Sequence, residues 1–272
     1  MNKKIILLTG ASAGIGKATA ELLMKKGTVV YGASRRAYAP QNDTTSGGEI
    51  IYVSMDVNNE SEIKSIVERI IFERGRLDAV VSNAGNGIAG SVEDSSSDEV
   101  KYQFETNFFG AVKTIQACIP VFRAQGYGKI IAVSSVAGIV PIPFQAFYSA
   151  GKSALLIFMQ ALALELQPFY IQCCSILPGD TKTGFTAARK YTIASQSPHS
   201  VYGKKMKSSV GKMEKDEQNG MSPYVIANAI LRQIEKKKMN TFVVPGFGYQ
   251  LIVWLFNRLP VKLRLWVVGL LY

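Results

Sequence analysis

Histidine and cysteine are scarce in this chain of 272 residues, and their scarcity excludes several kinds of active site. The single histidine, His199, cannot build a zinc site that needs several histidines, and a Ser-His-Asp triad would have to use it. It lies in a polar stretch typical of a surface loop, so we expect proton chemistry to use Tyr, Lys, Ser or a carboxylate. The three cysteines include the adjacent Cys173 and Cys174, which do not suit a disulfide framework and favour the cytoplasm.

Long apolar runs are also missing. No stretch of 18 apolar residues is uninterrupted, which disfavours a simple transmembrane helix, and the segment before the glycine motif is too short for a signal peptide. Hydrophobic residues nevertheless make up 47% of the chain and charged residues only 19%. The sequence therefore predicts a folded protein with a sizeable core.

Acidic residues are rare in the last third of the chain. Residues 1–181 contain 16 basic and 16 acidic side chains, whereas residues 182–272 contain 15 basic and 4 acidic ones and so carry the whole net charge of +11. A nucleic-acid-binding protein would be expected to show a recognised motif beside its basic surface, and none is found in the sequence. We therefore expect no nucleic-acid partner, and the basic C-terminal third needs another explanation.

Strand-like runs alternate with helical patterns along most of the chain. Such alternation, with strands rich in Val and Ile, is typical of a parallel sheet covered on both faces. We predict an α/β fold with a single doubly wound, Rossmann-type sheet in residues 1–246, and a polar segment at 181–221 and an apolar, basic tail at 247–272 outside the pattern. The predicted strands cover residues 3–9, 28–34, 50–55, 77–82, 129–134, 170–177 and 241–244, and the predicted helices cover residues 15–26, 60–74, 98–125, 146–167 and 222–238.

A glycine-rich turn, Thr9-Gly10-Ala11-Ser12-Ala13-Gly14-Ile15-Gly16, joins the first predicted strand to the first helix. Glycines let backbone amides approach a pyrophosphate at a helix N-terminus, where the helix dipole favours anions. The spacing is G-x-x-x-G-x-G, and any strand-to-helix turn can use glycine. The placement nevertheless favours a dinucleotide site formed by Gly10, Ser12, Gly14, Ile15 and Gly16.

The end of the second predicted strand lacks the carboxylate that an NAD enzyme uses to bind the ribose 2′-hydroxyl. Two arginines, Arg35 and Arg36, stand there instead. A guanidinium suits a phosphate because it offers bidentate hydrogen bonds. The sequence therefore predicts NADP(H) as the cofactor, and two solvated loop arginines are the alternative interpretation.

A tyrosine and a lysine four residues apart, Tyr148 and Lys152, open the long helix predicted over residues 146–167. Residues at this spacing lie on one helix face, and a nearby ammonium favours the phenolate, so Tyr148 could exchange a proton. Ser135 follows the fifth strand, at the edge of the sheet where ligands bind, and could hydrogen-bond a substrate oxygen. Its neighbour Ser134 is expected to face the sheet. Alone, the Tyr–Lys spacing also arises by chance on exposed helices.

Together these motifs resemble those of the short-chain dehydrogenase/reductase family, from residue 3 to about residue 245. Two departures are mild: Ser82 replaces the more usual first Asn of N-N-A-G, and Gly151 replaces the usual Ser or Ala before the lysine. Neither removes a reacting group. The matching residues are the glycine turn, Ser82-Asn83-Ala84-Gly85, Asn107, Ser135, Tyr148 with Lys152, and Pro178-Gly179.

The resemblance implies a role for each of these residues. Tyr148 would be the acid/base, Ser135 would orient the carbonyl, and Lys152 would bind the nicotinamide ribose and lower the pKa of the tyrosine. Asn107 would hold a water that links Lys152 to solvent. The remaining cofactor contacts would come from Asp56 and Val57 at the adenine, Asn83 at a ribose, and Pro178, Gly179 and Thr181 at the nicotinamide.

The implied activity is NADP(H)-dependent interconversion of a ketone and a secondary alcohol on a hydrophobic steroid-, sphingoid- or acyl-like substrate. Within the family, the strand end at residues 31–35 and the apolar tail look most like hydroxysteroid dehydrogenases and 3-ketosphinganine reductases, while smaller carbonyl and 3-oxoacyl reductases compete. Residues 181–221 would form the substrate lid. The alternative is a catalytically idle, NADP-binding sensor or scaffold on the same fold.

The tail, residues 247–272, contains both tryptophans, several basic residues and no acid. These are features of an interfacial membrane helix, and the apolar runs are too short to span a bilayer separately. Equally open is a tail that covers the substrate pocket or packs between subunits of a homo-oligomer, a dimer or tetramer. We expect a protein of the cytoplasm or of a membrane surface, whose dinucleotide site folds without the tail.

Overall fold

A parallel β-sheet lies at the centre of the structure, a computed structural model that describes residues 3–36 and 38–272. The strands of this part of the chain are β1 (Ile5–Thr9), β2 (Val29–Ser34), β3 (Gln41–Asn42), β4 (Glu49–Ser54), β5 (Ala79–Ser82), β6 (Ile88–Ala89), β7 (Gly128–Val133), β8 (Ile171–Ile176), β9 (Lys190–Tyr191) and β10 (Phe242–Val243). Eight of them form one sheet in the order β10-β8-β7-β5-β1-β2-β4-β3, in which β3 pairs antiparallel with β4 and the other pairs are parallel. The predicted doubly wound fold is confirmed.

Helices cover both faces of this sheet. Their bounds are α1 (Gly14–Lys25), α2 (Glu60–Arg74), α3 (Ser97–Phe104), α4 (Gly110–Gln125), α5 (Ala146–Leu166), α6 (Phe185–Ala188), α7 (Gly203–Gln218), α8 (Pro223–Glu235), α9 (Phe247–Arg258) and α10 (Val261–Leu271). One core lies under α2, α4 and α5 and contains Leu7 and Ile130, and the other lies under α1 and α8 and contains Leu8 and Ile131. Neighbouring residues of a strand thus enter opposite cores, as its two-residue period requires.

The long helix α5 is apolar because it packs in the core. Together with the turn that follows it, Ala146–Phe169, it is long and apolar enough to cross a membrane by composition. Its residues Leu155, Met159 and Leu162 are buried in the core shared with α2 and α4. Core packing thus accounts for these apolar residues, while Ile157 and Leu164 of the same helix are exposed.

The helix predicted over residues 98–125 is divided in the structure. A π-helical segment, Glu105–Phe109, separates α3 from α4 and carries Asn107. Such a segment adds a residue to one turn and is frequent at functional sites. It leaves Asn107 only 2% exposed. Apolar periodicity does not reveal one additional residue in a turn, so the sequence predicted one continuous helix.

The polar segment 181–221 contains more regular structure than its composition indicates. Helix α7 buries Met206, Val210 and Met213, and β9 pairs with β6 in a second small sheet. The three apolar residues have helical spacing, but the lysines between them obscure so short a stripe. His199 lies exposed in the connection before α7, as the sequence predicts.

The tail forms two helices that fold back on the domain. Val253 of α9 is buried with Leu177, Val136 and Leu156, and Tyr272 packs against the apolar side of α7. Trp254 and Trp266 are 49% and 61% exposed. One side of the tail therefore covers the domain, while the other side faces solvent.

Candidate active site

The glycine turn after β1 brings backbone segments closer together than a side chain would allow. Gly10 and Gly14 have φ values of 68° and 52°, in the left-handed region that favours glycine. A Cβ on Gly16 would lie 2.0 Å from the carbonyl oxygen of Gly10. The first helical hydrogen bond comes from the N–H of Lys17, so the N–H groups of Gly14, Ile15 and Gly16 precede it, with Ser12 in the turn before them. This end of α1 can therefore receive an anion.

Asn83 connects this turn to the end of β5. Its amide nitrogen donates to the carbonyl oxygens of Thr9 at 3.1 Å and Gly10 at 3.3 Å. In return, the Thr9 hydroxyl oxygen accepts the backbone N–H groups of Asn83 and Ala84, both at 3.0 Å. The amide of Asn83 is thus used to hold the glycine turn in place, a role that its position at a strand end did not reveal.

Four of the predicted cofactor residues lie beyond the neighbouring ends of β2 and β4. Arg35 and Arg36 are exposed, and neither forms a salt bridge with a carboxylate of residues 3–36 and 38–272. Asp56 accepts a backbone hydrogen bond from Asn58 at 2.9 Å. Val57 packs against α4 so closely that a Cβ on Gly110 would lie 2.7 Å from it. Two guanidinium groups are therefore available beside the glycine turn.

Ser135, Tyr148 and Lys152 come together where β7 and β8 end. The Ser135 hydroxyl accepts the N–H of Ala137 at 3.1 Å and donates to the carbonyl oxygen of Pro178 at 3.4 Å. The Lys152 ammonium donates to the carbonyl oxygen of Val133 at 2.9 Å and lies 5.8 Å from the centre of the Tyr148 ring. The predicted pairing of tyrosine and lysine on one helix face is therefore present.

Ser134, expected to face the sheet, is hydrogen-bonded to helix α5. Its hydroxyl donates to the carbonyl oxygen of Lys152 at 2.7 Å and is buried between β7 and α5. This hydrogen bond fixes the position of α5 relative to β7. Ser135, the next residue, faces the candidate site.

Burial shifts the two titrating groups in opposite directions. It raises the pKa of Tyr148 to about 12, an effect that the nearby Ser135 hydroxyl partly opposes. It lowers the pKa of Lys152 to about 8, because a buried ammonium loses hydration. At neutral pH Tyr148 therefore keeps its proton and Lys152 is mostly charged.

Asn107 and Lys152 lie on either side of Gly85. The Asn107 side-chain oxygen accepts the N–H of Asn86 at 3.0 Å, and its amide nitrogen donates to the carbonyl oxygens of Asn86 at 2.8 Å and Gln103 at 3.1 Å. A Cβ on Gly85 would lie 2.6 Å from the Asn107 oxygen and 3.8 Å from the Lys152 nitrogen. These hydrogen bonds fix the backbone of Asn86, next to Gly85 and Lys152. That Asn107 holds a water remains a prediction.

The loop after β8 contributes the predicted residues Pro178, Gly179 and Thr181 and one residue that the sequence analysis missed. The Thr181 hydroxyl donates to the carbonyl oxygen of Gly179 at 2.8 Å. Thr183, two residues further on, lies against the glycine turn: a Cβ on Gly14 would come within 3.1 Å of it. Only the fold brings these distant segments together, so spacing in the sequence could not identify Thr183.

Phe185, in the segment predicted to be the lid, lies beside Tyr148. Its ring centre lies 5.8 Å from that of Tyr148. Behind it, the buried guanidinium of Arg189 lies 5.7 Å from the Phe185 ring and forms salt bridges with Glu214 and Glu217 of α7. The predicted lid thus packs over Tyr148.

Within residues 3–36 and 38–272 no group of three His, Cys, Asp or Glu side chains could hold a metal ion.

The sequence matches the family model for short chain dehydrogenases over residues 4–193. This chain belongs to the short-chain dehydrogenase/reductase family. The matched segment includes the glycine turn, Ser135, Tyr148 and Lys152, and it ends within the predicted lid. The protein is therefore an oxidoreductase of this family, built on its Rossmann fold.

Similar proteins cover nearly the whole chain. A 3-ketodihydrosphingosine reductase of Bacteroides thetaiotaomicron is 40% identical over 237 residues, which are 87% of this chain and 86% of that protein. The solved structure of a short-chain dehydrogenase from Streptomyces avermitilis has a TM-score of 0.78 at 26% identity and covers 93% of this chain and 92% of its own. Its relationship to this chain therefore extends into the tail helices.

Solved structures of the same fold contain either nicotinamide cofactor. A family member from Burkholderia phymatum in complex with NAD has a TM-score of 0.79 at 20% identity, covering 94% of this chain and 93% of its own. A short chain dehydrogenase from Burkholderia cenocepacia in complex with NADP has a TM-score of 0.72 at 22% identity, covering 94% of both chains. The fold alone therefore does not distinguish the two cofactors.

We expect the free energy of unfolding to report the buried ammonium of Lys152. The unfolded chain has an ordinary lysine pKa of about 10.4, whereas the folded value is about 8. Between these values the unfolded state binds a proton that the folded state lacks, so this group adds stability as pH rises. The stability margin of Lys152→Met relative to wild type should therefore fall by about 2 kcal/mol between pH 7 and pH 9.5.

Urea unfolding at both pH values measures this margin. Lys64→Met, which changes an exposed lysine of α2, is the matched control and should show no such dependence. A margin for Lys152→Met that stays constant between pH 7 and pH 9.5 would contradict the lowered pKa.

Proposed function

We propose that this protein is an NADP(H)-dependent reductase that interconverts a ketone and a secondary alcohol on a hydrophobic, sphingoid-like substrate. The observation that carries the proposal is the meeting of Ser135, Tyr148 and Lys152 at the edge of the sheet that also holds the glycine turn. The groups proposed for acid/base chemistry, carbonyl binding and dinucleotide binding thus lie at the same edge of the sheet. The reductase of Bacteroides thetaiotaomicron described above supports the choice of a sphingoid ketone.

The residues present fit a dinucleotide. The glycines let the turn pack closely against Asn83 and Thr183. The N–H groups of Gly14, Ile15 and Gly16 precede the first helical hydrogen bond of α1 and would bind the pyrophosphate. We assign Arg35 and Arg36 to the 2′-phosphate, since exposed guanidinium groups after β2, next to the strand that ends in the glycine turn, suit an anion. When bound, the cofactor supplies or accepts the hydride. The other contacts are assigned to Ser12, Ile15, Asp56, Val57, Asn83, Pro178, Gly179 and Thr181.

Tyr148 would move the proton. At neutral pH it is protonated, which is the state that can donate a proton to a ketone oxygen as the carbon is reduced. The Ser135 hydroxyl would hold that oxygen, and the Lys152 charge would favour the phenolate left behind. Asn107 would keep Lys152 in place through the segment around Gly85.

A catalytically idle scaffold, the alternative, would bind NADPH but reduce none of a panel of ketones.

The tail supports a second proposal, contact with an anionic membrane surface. Its exposed apolar residues lie beside Arg258, Lys262 and Arg264, with the Arg258 guanidinium 3.8 Å from the Trp254 ring. Aromatic and basic side chains on one surface suit the interface of an anionic bilayer.

We also propose a homo-oligomer. Ile157 and Leu164, exposed on the outer side of α5, would suit a subunit contact.

Replacing Tyr148 by Phe should reduce turnover by roughly 10²–10⁴, the range typical for loss of a general acid or base. The ring keeps its packing against Phe185, so NADPH should still bind. Oxidation of NADPH with a 3-keto sphingoid base measures the effect. Tyr170→Phe, at a position 78% exposed, should behave like wild type. Near-normal turnover of Tyr148→Phe would reject this acid/base assignment.

Replacing Arg35 by Ala should weaken NADPH binding about tenfold or more, because a charge-assisted hydrogen bond contributes roughly 1.5–3 kcal/mol. NADH, which has no 2′-phosphate, should bind as before. Calorimetric titration with both cofactors measures the change, with Arg123→Ala at the exposed end of α4 as control. An equal loss for both cofactors would show that Arg35 does not recognise the 2′-phosphate.

Removing both tail tryptophans, Trp254→Ala with Trp266→Ala, should lower binding to anionic vesicles by about tenfold or more, since each aromatic buries a large area. Salt should weaken wild-type binding, because charges are screened over about 10 Å. Cosedimentation with anionic and neutral vesicles measures both effects. Phe72→Ala, which removes an aromatic 92% exposed on α2, is the control.

Two results would reject the membrane assignment. One is a wild-type protein that ignores anionic vesicles at low salt. The other is a change in particle size of the tryptophan variant by light scattering with unchanged vesicle binding, which would identify this surface as a subunit contact.

A further inference from the structure

A short loop after β8, residues 178–183, connects the two halves of the candidate site. At its start, the carbonyl oxygen of Pro178 accepts the Ser135 hydroxyl at 3.4 Å and the N–H of Val136 at 2.9 Å. At its end, Thr183 lies against Gly14 of the glycine turn. The position of this loop therefore relates the Ser135 side of the site to the dinucleotide side.

The tail supports the middle of this loop. The ring of Tyr249, in α9, fills the space beside Gly179, where a Cβ would lie 2.2 Å from the ring. The hydroxyl of the same tyrosine donates to the Asp180 carboxylate at 2.7 Å. One side chain thus contacts two consecutive residues of the loop, one through its ring and the other through its hydroxyl.

Tyr249 is itself held on both sides. Before it, Gly246 has a φ of 85° and approaches Met221 so closely that a Cβ would lie 2.6 Å from the sulfur. After it, Gln250 donates to the carbonyl oxygen of Val244 at 2.9 Å, and Val253 is buried in the domain. A ring anchored in this way can fix the loop that it contacts, which a freely moving surface side chain could not do.

Other contacts also hold this loop, among them the hydrogen bond from the Thr181 hydroxyl to the carbonyl oxygen of Gly179 at 2.8 Å. The N–H of Met221 donates to the carbonyl oxygen of Asp180, and the N–H of Lys182 donates to that of Met221, both at 2.9 Å. These bonds fix the loop from residue 180 onward. Gly179 precedes the residues that bond to Met221 and follows Pro178, whose carbonyl oxygen accepts the Ser135 hydroxyl. The Tyr249 ring packs directly against Gly179.

We propose that Tyr249 is a positioning residue for the cofactor, acting through Gly179 and Asp180, and that the tail is therefore a part of the cofactor site. The proposal rests on the cofactor site proposed above. It explains why the loop has glycine at position 179: a larger residue would collide with Tyr249. It also changes the expectation that the dinucleotide site is independent of residues 247–272.

Cofactor binding to the full-length protein tests this role without any turnover. NADPH and NADH are titrated and followed by nicotinamide fluorescence, and the tighter of the two is used for the variants. Tyr249→Phe removes one hydrogen bond to a charged group and should weaken binding roughly threefold to tenfold. Tyr249→Ala also removes the ring and should weaken binding further. Tyr224→Phe, which removes a phenol–carboxylate hydrogen bond to Glu21 on α1, is the matched control.

A double-mutant cycle separates positioning from general damage to the fold. Gly179→Ala should weaken cofactor binding because its methyl group collides with the Tyr249 ring. Adding Tyr249→Ala removes the ring, so the double variant should bind at least threefold more tightly than Gly179→Ala alone. Residues that touch or share one interaction network show such coupling, whereas the effects of distant, independent sites add.

The outcomes distinguish this role from the cofactor site itself. If wild type binds neither cofactor, the proposed site and the role of Tyr249 are both rejected. If wild type binds but Tyr249→Phe and Tyr249→Ala bind equally well, only the role of Tyr249 is rejected. A double variant weaker than Gly179→Ala would also contradict it. Should Tyr249→Ala fail to fold, Tyr249→Phe alone still decides the question.

Discussion

The parallel alignment of β1, β5, β7 and β8 is the constraint on which the site depends. Because these strands run in one direction, their carboxyl ends meet at one edge, and the turns that follow them must share that edge. The glycine turn, Asn83, Ser135 and Pro178 stand at four of these ends. Hydrogen bonds between the turns, from Asn83 to the glycine turn and from Ser135 to Pro178, then fix their relative positions. Helix α5 adds Tyr148 and Lys152 from the side.

Local features of this arrangement could be predicted from the sequence. The glycine turn depends on backbone conformations that only glycine adopts easily, and the Tyr148–Lys152 pair depends on helical spacing. Both are properties of a few consecutive residues. The family resemblance then supplied Asn83 and Asn107, whose residue types alone are not distinctive, and the structure gives both of them definite hydrogen-bond partners.

Features produced by contacts between distant segments could not be predicted. Thr183 meets Gly14, Phe185 meets Tyr148, and Tyr249 meets Gly179 only because the sheet is assembled. The helix α7 was missed because its three buried apolar residues are separated by lysines. The sequence left open whether the tail covers the pocket, because order along the chain does not determine which surface a helix covers.

The two sides of the tail explain why the sequence left its role open. One side is apolar because it packs against Leu177 and the loop after β8, and the other is apolar and basic where it meets solvent. The same two helices could therefore cover the pocket with one side and contact a membrane with the other. Both proposals for the tail, support of the loop after β8 by Tyr249 and membrane contact through the exposed tryptophans, therefore concern the same pair of helices.

The central claim is that a ketone is reduced in the space between Ser135, Tyr148 and the glycine turn. Its most direct test is to incubate the protein with NADPH deuterated at the nicotinamide C4 position and a 3-keto sphingoid base, followed by mass spectrometry of the product. We predict an alcohol with one deuterium at the former carbonyl carbon, formed by wild type and lost in Tyr148→Phe. Tight NADPH binding without any labelled alcohol from this or other ketones would contradict the claim and favour an idle scaffold.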